Sequence, residues 1–179
     1  TPAMATGRSE GESSDPLAWT RLGRPFGGGR VNDVAALPDG TMLAVGSVGD
    51  TSARAWHSAD GVRWQEIPMP GRDHTWVRHV AVAEDDLVAV GVRSGSEQRP
   101  PETVVWSSQD GLEWSERRTL DQGVPVAALA TEDGYAVVTT GSAPHWSRPI
   151  TVWRSTDGVD WRASEVTDGE ARIAAVAAE

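Results

Sequence analysis

The sequence predicts an all-β chain: a β-propeller, or part of one, of four-stranded antiparallel blades. Three observations lead there. A tryptophan-flanked turn recurs at a nearly fixed period. Each period holds four short apolar runs separated by turn residues. No stretch of ten or more residues carries a convincing helical period. The turn reads "WHSADGVRW" (56–64), "WSSQDGLEW" (106–114) and "WRSTDGVDW" (153–161), with a worn copy, "SSDPLAW", at 13–19. Trp64, Trp114 and Trp161 are 50 and 47 residues apart, and Trp19 precedes Trp64 by 45. Periods of this size suit four-stranded blades.

Residues 1–12 are small and polar, the composition of a disordered leader or linker. Residues 13–22 hold a lone strand D, the end of a blade. Full blades, with strands A to D, follow at 31–67, 77–118 and 125–165. Their A and B runs, such as "AALP" and "MLAVG", are almost continuously apolar, as strands covered on both faces should be. The C and D runs alternate more, which predicts an outer position. Residues 171–179 begin a further strand A. The Ala- and Glu-rich "EARIAAVAAE" also favours helix, but its register in the repeat places it as a strand.

Asp-Gly between two apolar runs is a hairpin signal, because Gly tolerates positive φ and Asp tolerates it better than most residues. Asp60, Asp110 and Asp157 can turn their carboxylates onto backbone N–H groups, and Ser58, Ser108 and Ser155 can hydrogen-bond in the same hairpin. A two-residue loop would send Trp56 and Trp64 to opposite faces of the sheet. A three-residue loop with a bulge would put them on one face. The sequence leaves both open.

This hairpin resembles the Asp-box, or BNR repeat, of sialidases and other secreted β-propeller proteins, whose usual form is Ser-x-Asp-x-Gly-x-x-Trp. The matching stretches are "SADGVRW", "SQDGLEW" and "STDGVDW", each one residue shorter between Asp and Gly, and the first copy has Pro16 where Gly is expected. The resemblance covers residues 13–179. It implies a structural role on the blade rim for Ser58, Asp60, Gly61, Trp64, Ser108, Asp110, Gly111, Trp114, Ser155, Asp157, Gly158 and Trp161. It also implies a secreted or cell-surface setting. A closed ring needs at least about four blades. The chain therefore reads as a piece of a longer propeller, as one half of a homodimeric ring, or as an irregular assembly standing alone.

Composition narrows the function classes. All 16 basic residues are arginine, against 26 acidic ones, for a net charge of −10. Phosphate-backbone binding needs a basic stripe, so nucleic acid is not an expected partner. No apolar run reaches the ~18 residues of a membrane span, and the absence of Cys removes disulfides and thiolate metal sites. His57, His74, His79 and His145 have no metal-ligand spacing, "TDGVD" (156–160) is too short of ligands for a calcium loop, and "GGG" (27–29) lacks a strand-to-helix setting. No metal or cofactor is expected.

Ligands of propellers gather where the D–A and B–C connections meet. Those connections carry Arg72, His74, Trp76, Arg93, His145, Trp146 and Arg148, cationic and aromatic groups on one end of an acidic chain. Arginine suits a carboxylate and tryptophan suits a stacked sugar. The expected function is a non-catalytic recognition module or scaffold outside the cytoplasm, binding a glycan or protein on that face. The alternative is a fragment of a sialidase-like glycoside hydrolase. By resemblance that enzyme needs an arginine triad, a Tyr–Glu nucleophile pair and an Asp acid/base. The only tyrosine, Tyr135, follows an A–B turn, on the opposite face.

Overall fold

The computed structural model describes residues 23–49, 52–84, 86–96, 100–120, 123–141 and 150–165. The lone strands expected at 13–22 and 171–179 lie outside them. The described residues form three four-stranded antiparallel sheets and no helix. The first contains β1 (Gly29–Ala36), β2 (Met42–Val48), β3 (Ser52–Ser58) and β4 (Gln65–Pro68). The second contains β5 (Thr75–Val82), β6 (Leu87–Arg93), β7 (Glu102–Ser108) and β8 (Ser115–Leu120). The third contains β9 (Val124–Thr131), β10 (Gly134–Thr140), β11 (Thr151–Ser155) and β12 (Arg162–Glu165). Within each sheet spatial order follows chain order. Successive sheets pack face to face, with β1 beside β5 and β5 beside β9. This stacking is consistent with propeller blades.

Two apolar cores join the sheets. Leu43, Val45, Ala55 and Ile67 of the first sheet meet Val77, Leu87, Ala89 and Val104 of the second. Ala81, Val88, Val90 and Val105 of the second meet Tyr135 and Val137 of the third. The second strand of each sheet is buried on both faces, as its unbroken Val/Ala/Leu run predicts. The expected alternation in the third strand is corrected: β3 and β7 are buried almost as deeply as β2 and β6. Trp56 and Trp106 on these strands are fully enclosed, and a sheet packed on both sides needs that bulk to fill the space between layers. The fourth strand is mostly solvent-facing, with β8 burying Leu120 alone, and β1 has no fully buried residue.

The tryptophans settle the open question of faces. Trp106 and Trp114 both enter the core shared with the first sheet, and Trp153 and Trp161 both enter the core shared with the second. The second and third motifs thus each grip the sheet that precedes them. In the first sheet Trp56 and Trp64 pack on Phe26, at centroid distances of 5.6 and 4.9 Å.

The first strand of each sheet is bulged at the same repeat position. The ladder skips Asn32 in β1, Arg78 in β5 and Val126 in β9. The bulge presses the strand's carbonyl toward its partner, where Gly46 and Gly91 stand; a Cβ on either would collide with the carbonyl oxygen of Arg30 or Trp76. Side chains of β1 also satisfy the free edge of β5. Asn32 Nδ2 donates to Val77 O at 2.6 Å, and Val80 N donates to Asp33 Oδ2 at 3.0 Å. These two bonds tie neighbouring sheets through edge groups that no ladder pairs.

Gly46→Ala and Gly91→Ala are each expected to cost about 1–3 kcal/mol, the range for forced overpacking. Gly28→Ala, with open space around it, should stay within about 0.5 kcal/mol of wild type. Urea denaturation of the three variants checks this.

Candidate functional site

The repeated turns come first, because they fix one end of every sheet. Ser58 Oγ accepts from Asp60 N at 3.3 Å and Gly61 N at 2.9 Å. Asp60 Oδ1 accepts from Val62 N at 2.9 Å and Arg63 N at 2.8 Å, and Trp64 Nε1 donates to Gly61 O at 3.1 Å. Ser108, Asp110 and Trp114 repeat every one of these bonds. Asp157 likewise takes Val159 N and Asp160 N, Trp161 donates to Gly158 O, and Ser155 Oγ accepts from Asp157 N. Gly61, Gly111 and Gly158 have φ of 70°, 73° and 69°, the left-handed region that a side chain resists.

The two- and three-residue loops weighed from the sequence are corrected here. Six residues, 59–64, separate β3 from β4, and His57 pairs with Gln65. The carboxylate gathers two amides into a small closed turn, so the strands re-pair only beyond it. The turn also leans on the sheet before. A Cβ on Gly111 would touch Leu43, and one on Gly158 would press on Val88. Glycine is needed there for space as well as for φ. The amide donors hold the carboxyls of Asp60, Asp110 and Asp157 below the usual range.

The opposite end carries an open cleft of about 600 Å³, between the first and second sheets. Arg30 and Asn32 come from β1, Trp76, Arg78 and His79 from β5, Ser47 from β2, and His74 and Ser94 from the adjoining connections. No carboxylate lines it. Arg78 is the bulge residue of β5, released from the ladder and so free to face the cleft. It is solvent-exposed, yet crowding by surrounding atoms and then the Arg30 charge lower its pKa. Burial lowers the pKa of His79 more than Asp33, 3.8 Å away, raises it. Burial therefore disfavours the imidazolium form of His79, and the two arginines supply fixed positive charge to the cleft.

A second cleft adjoins the first at His74 and Ser94 and includes Arg72, Asp73, Arg93 and Glu102. His74 stands between them with φ 59°, and its carbonyl accepts from Ser94 N at 2.8 Å. Left-handed backbone at a non-glycine residue is uncommon, though His tolerates it better than most. Of the residues expected from sequence, Arg72, His74 and Trp76 face this joint surface. Arg93 also lines the second cleft but is spent on structure: Nη2 donates to Glu116 at 2.6 Å and Nη1 lies 3.6 Å from Glu102, with the side chain only 12% exposed. His145, Trp146 and Arg148 lie outside the described residues. The sequence reading passed over Asn32, Arg78, Ser47 and Ser94. Asn32 and Arg78 had a signal, since "VND" and "VRH" interrupt apolar runs at the same repeat position.

Tyr135 opens β10 beside the β9–β10 turn, at the end of the sheets that carries the repeated turns. It is buried, and desolvation first and Asp86 second push its hydroxyl up to about 12. Among the described residues no three His, Asp or Glu groups gather as a metal site, and no helix is long and apolar enough to cross a membrane. A scan against protein-family models and a search of the curated proteins each found no match to this chain.

The depressed carboxyls of the turns set a pH dependence. Their folded pKa lies below the unfolded value of about 3.9, so their stabilisation is complete above that value. It fades as pH falls through the folded value. The double variant Asp110→Asn/Asp157→Asn is expected to unfold at lower urea than wild type at pH 7. The gap in midpoint should narrow steadily below about pH 4, as the wild-type carboxyls become neutral too.

Proposed function

We propose that the chain is a β-propeller recognition module, built of Asp-box blades, that works outside the cytoplasm without catalysis. It binds an acidic glycan, or an acidic side chain of a protein, in the cleft between the first and second sheets. One observation carries this reading: Arg30 and Arg78 share a cleft whose lining contains no carboxylate, in a chain of net charge −10. Two like charges held together without a counter-charge repel, and an anion between them relieves that repulsion. Guanidinium groups hold carboxylates in forked hydrogen bonds. Trp76 gives the cleft an aromatic wall of the kind sugars stack on. Asn32, Ser47 and Ser94 supply the neutral donors and acceptors that hydroxyl groups need.

Catalysis of the sialidase type draws no support from these residues. Tyr135 is buried at the far end with a raised pKa, and the cleft lining holds two arginines rather than three. The rim turns support the Asp-box reading through the shared Ser, Asp, Gly and Trp bonds of all three copies.

A uronic-acid oligosaccharide is expected to bind the chain, and Arg30→Ala/Arg78→Ala to weaken it at least about tenfold, or 1.4 kcal/mol. The carboxyl-reduced, neutral form of the same oligosaccharide should bind wild type and variant alike. Titration calorimetry distinguishes the outcomes. Equal affinity of wild type and variant for the acidic form would remove the cleft as the binding site.

A further inference from the structure

The described residues expose four large apolar side chains: Val34 (47%), Val62 (53%), Leu112 (43%) and Val159 (42%). Val62, Leu112 and Val159 occupy one repeat position, the residue after the turn glycine. The turn asks nothing apolar of that position. It uses only the backbone N–H, which donates to the aspartate in every copy. A polar side chain would serve the turn equally well and would be better solvated. Three apolar knobs in register therefore call for an explanation outside the turn.

Two of the knobs sit on grooves between sheets. Leu112 shares a groove of about 340 Å³ with Leu37, Pro38, Ala83 and Leu87. Val159 shares one of about 360 Å³ with Leu87 and Val88. Leu87 belongs to both, so the apolar floor runs on from one groove to the next. The walls are acidic. Asp39, Glu84, Asp86 and Asp110 border the first groove, and Glu113 and Asp157 join Asp86 and Asp110 at the second. Against these stand His57 and Arg117, and Arg117 is engaged with Ser107 at 2.7 Å.

We propose that this turn-bearing end is a docking surface for a cationic polypeptide segment that carries apolar side chains, laid across the turns of the second and third sheets. Charge complementarity selects the occupant: an acidic, apolar-floored track admits arginine or lysine at its walls and leucine or valine at its floor. A second copy of the chain fits poorly, because its net charge of −10 opposes approach. The surface lies at the opposite end from that cleft, so the inference stands apart from the function proposed above.

The test uses fluorescence anisotropy with three fluorescein-labelled peptides, of alternating Arg–Leu, Arg–Ser and Glu–Leu. Wild type is expected to bind Arg–Leu at least about tenfold more tightly than either of the others. That binding should weaken steeply between about 50 and 500 mM salt, where the Debye length shrinks. Leu112→Ser/Val159→Ser and, separately, Glu84→Gln/Glu113→Gln should each lose most of it, while Arg30→Ala/Arg78→Ala keeps it. All substituted positions on this face are exposed, and unchanged thermal melting of either variant validates its reading. Equal binding of Arg–Leu by wild type and Leu112→Ser/Val159→Ser would overturn the proposal, as would equal affinity for Glu–Leu. So would self-association on gel filtration that Leu112→Ser/Val159→Ser abolishes, which would name a second copy as the occupant.

Discussion

The structure depends on one contact repeated between sheets: the tryptophans of the second and third turn motifs buried against the sheet before. A four-stranded meander has two faces and cannot cover either by itself. Trp106 with Trp114, and Trp153 with Trp161, supply the area that makes neighbouring sheets one body. A buried tryptophan removes roughly 150–250 Å² from water, which at ~25 cal/mol per Å² is several kcal/mol per ring before conformational entropy is charged against it. The indole N–H groups of these four rings are also satisfied. Trp106 donates to Pro70 O at 2.7 Å and Trp153 to Thr139 Oγ1 at 3.1 Å, so each ring is fixed in orientation as well as in depth.

The turns serve that contact. Each aspartate closes its loop by holding two backbone amides, and the closed loop delivers the second tryptophan into the groove behind it. The glycine lets the loop come close enough to lean on Leu43 or Val88 of the preceding sheet. Turn chemistry and inter-sheet packing are one device, which is why Ser, Asp, Gly and Trp recur together while the residues between them vary.

Much of this was legible in the sequence. The antiparallel four-stranded units followed from the runs and their punctuation, and the amide-binding roles of Ser58 and Asp60 from side-chain chemistry alone. Other features depended on contacts between distant segments. The burial of β3 and β7 comes from packing on both sides, which no single strand reports. The loss of Arg93 to Glu102 and Glu116 required the register of three strands. The shared direction of Trp106 and Trp114 required the true loop length. The cleft was half visible: His74 and Trp76 were found, while Ser94 was passed over and the strand residues Asn32 and Arg78 were hidden in runs read as core.

The bulge in the first strand of each sheet has a consequence for how such a chain diversifies. A residue skipped by the ladder carries no pairing duty, so its replacement leaves every hydrogen bond of the sheet in place. The slot holds Asn, Arg and Val in the three copies. Side-chain chemistry at this slot can therefore drift one residue at a time, copy by copy, while the ladder within each sheet is kept; at Asn32 the change also gives up the bond to Val77 O between sheets. Duplication of a unit delivers a fresh variable position together with the framework that aims it.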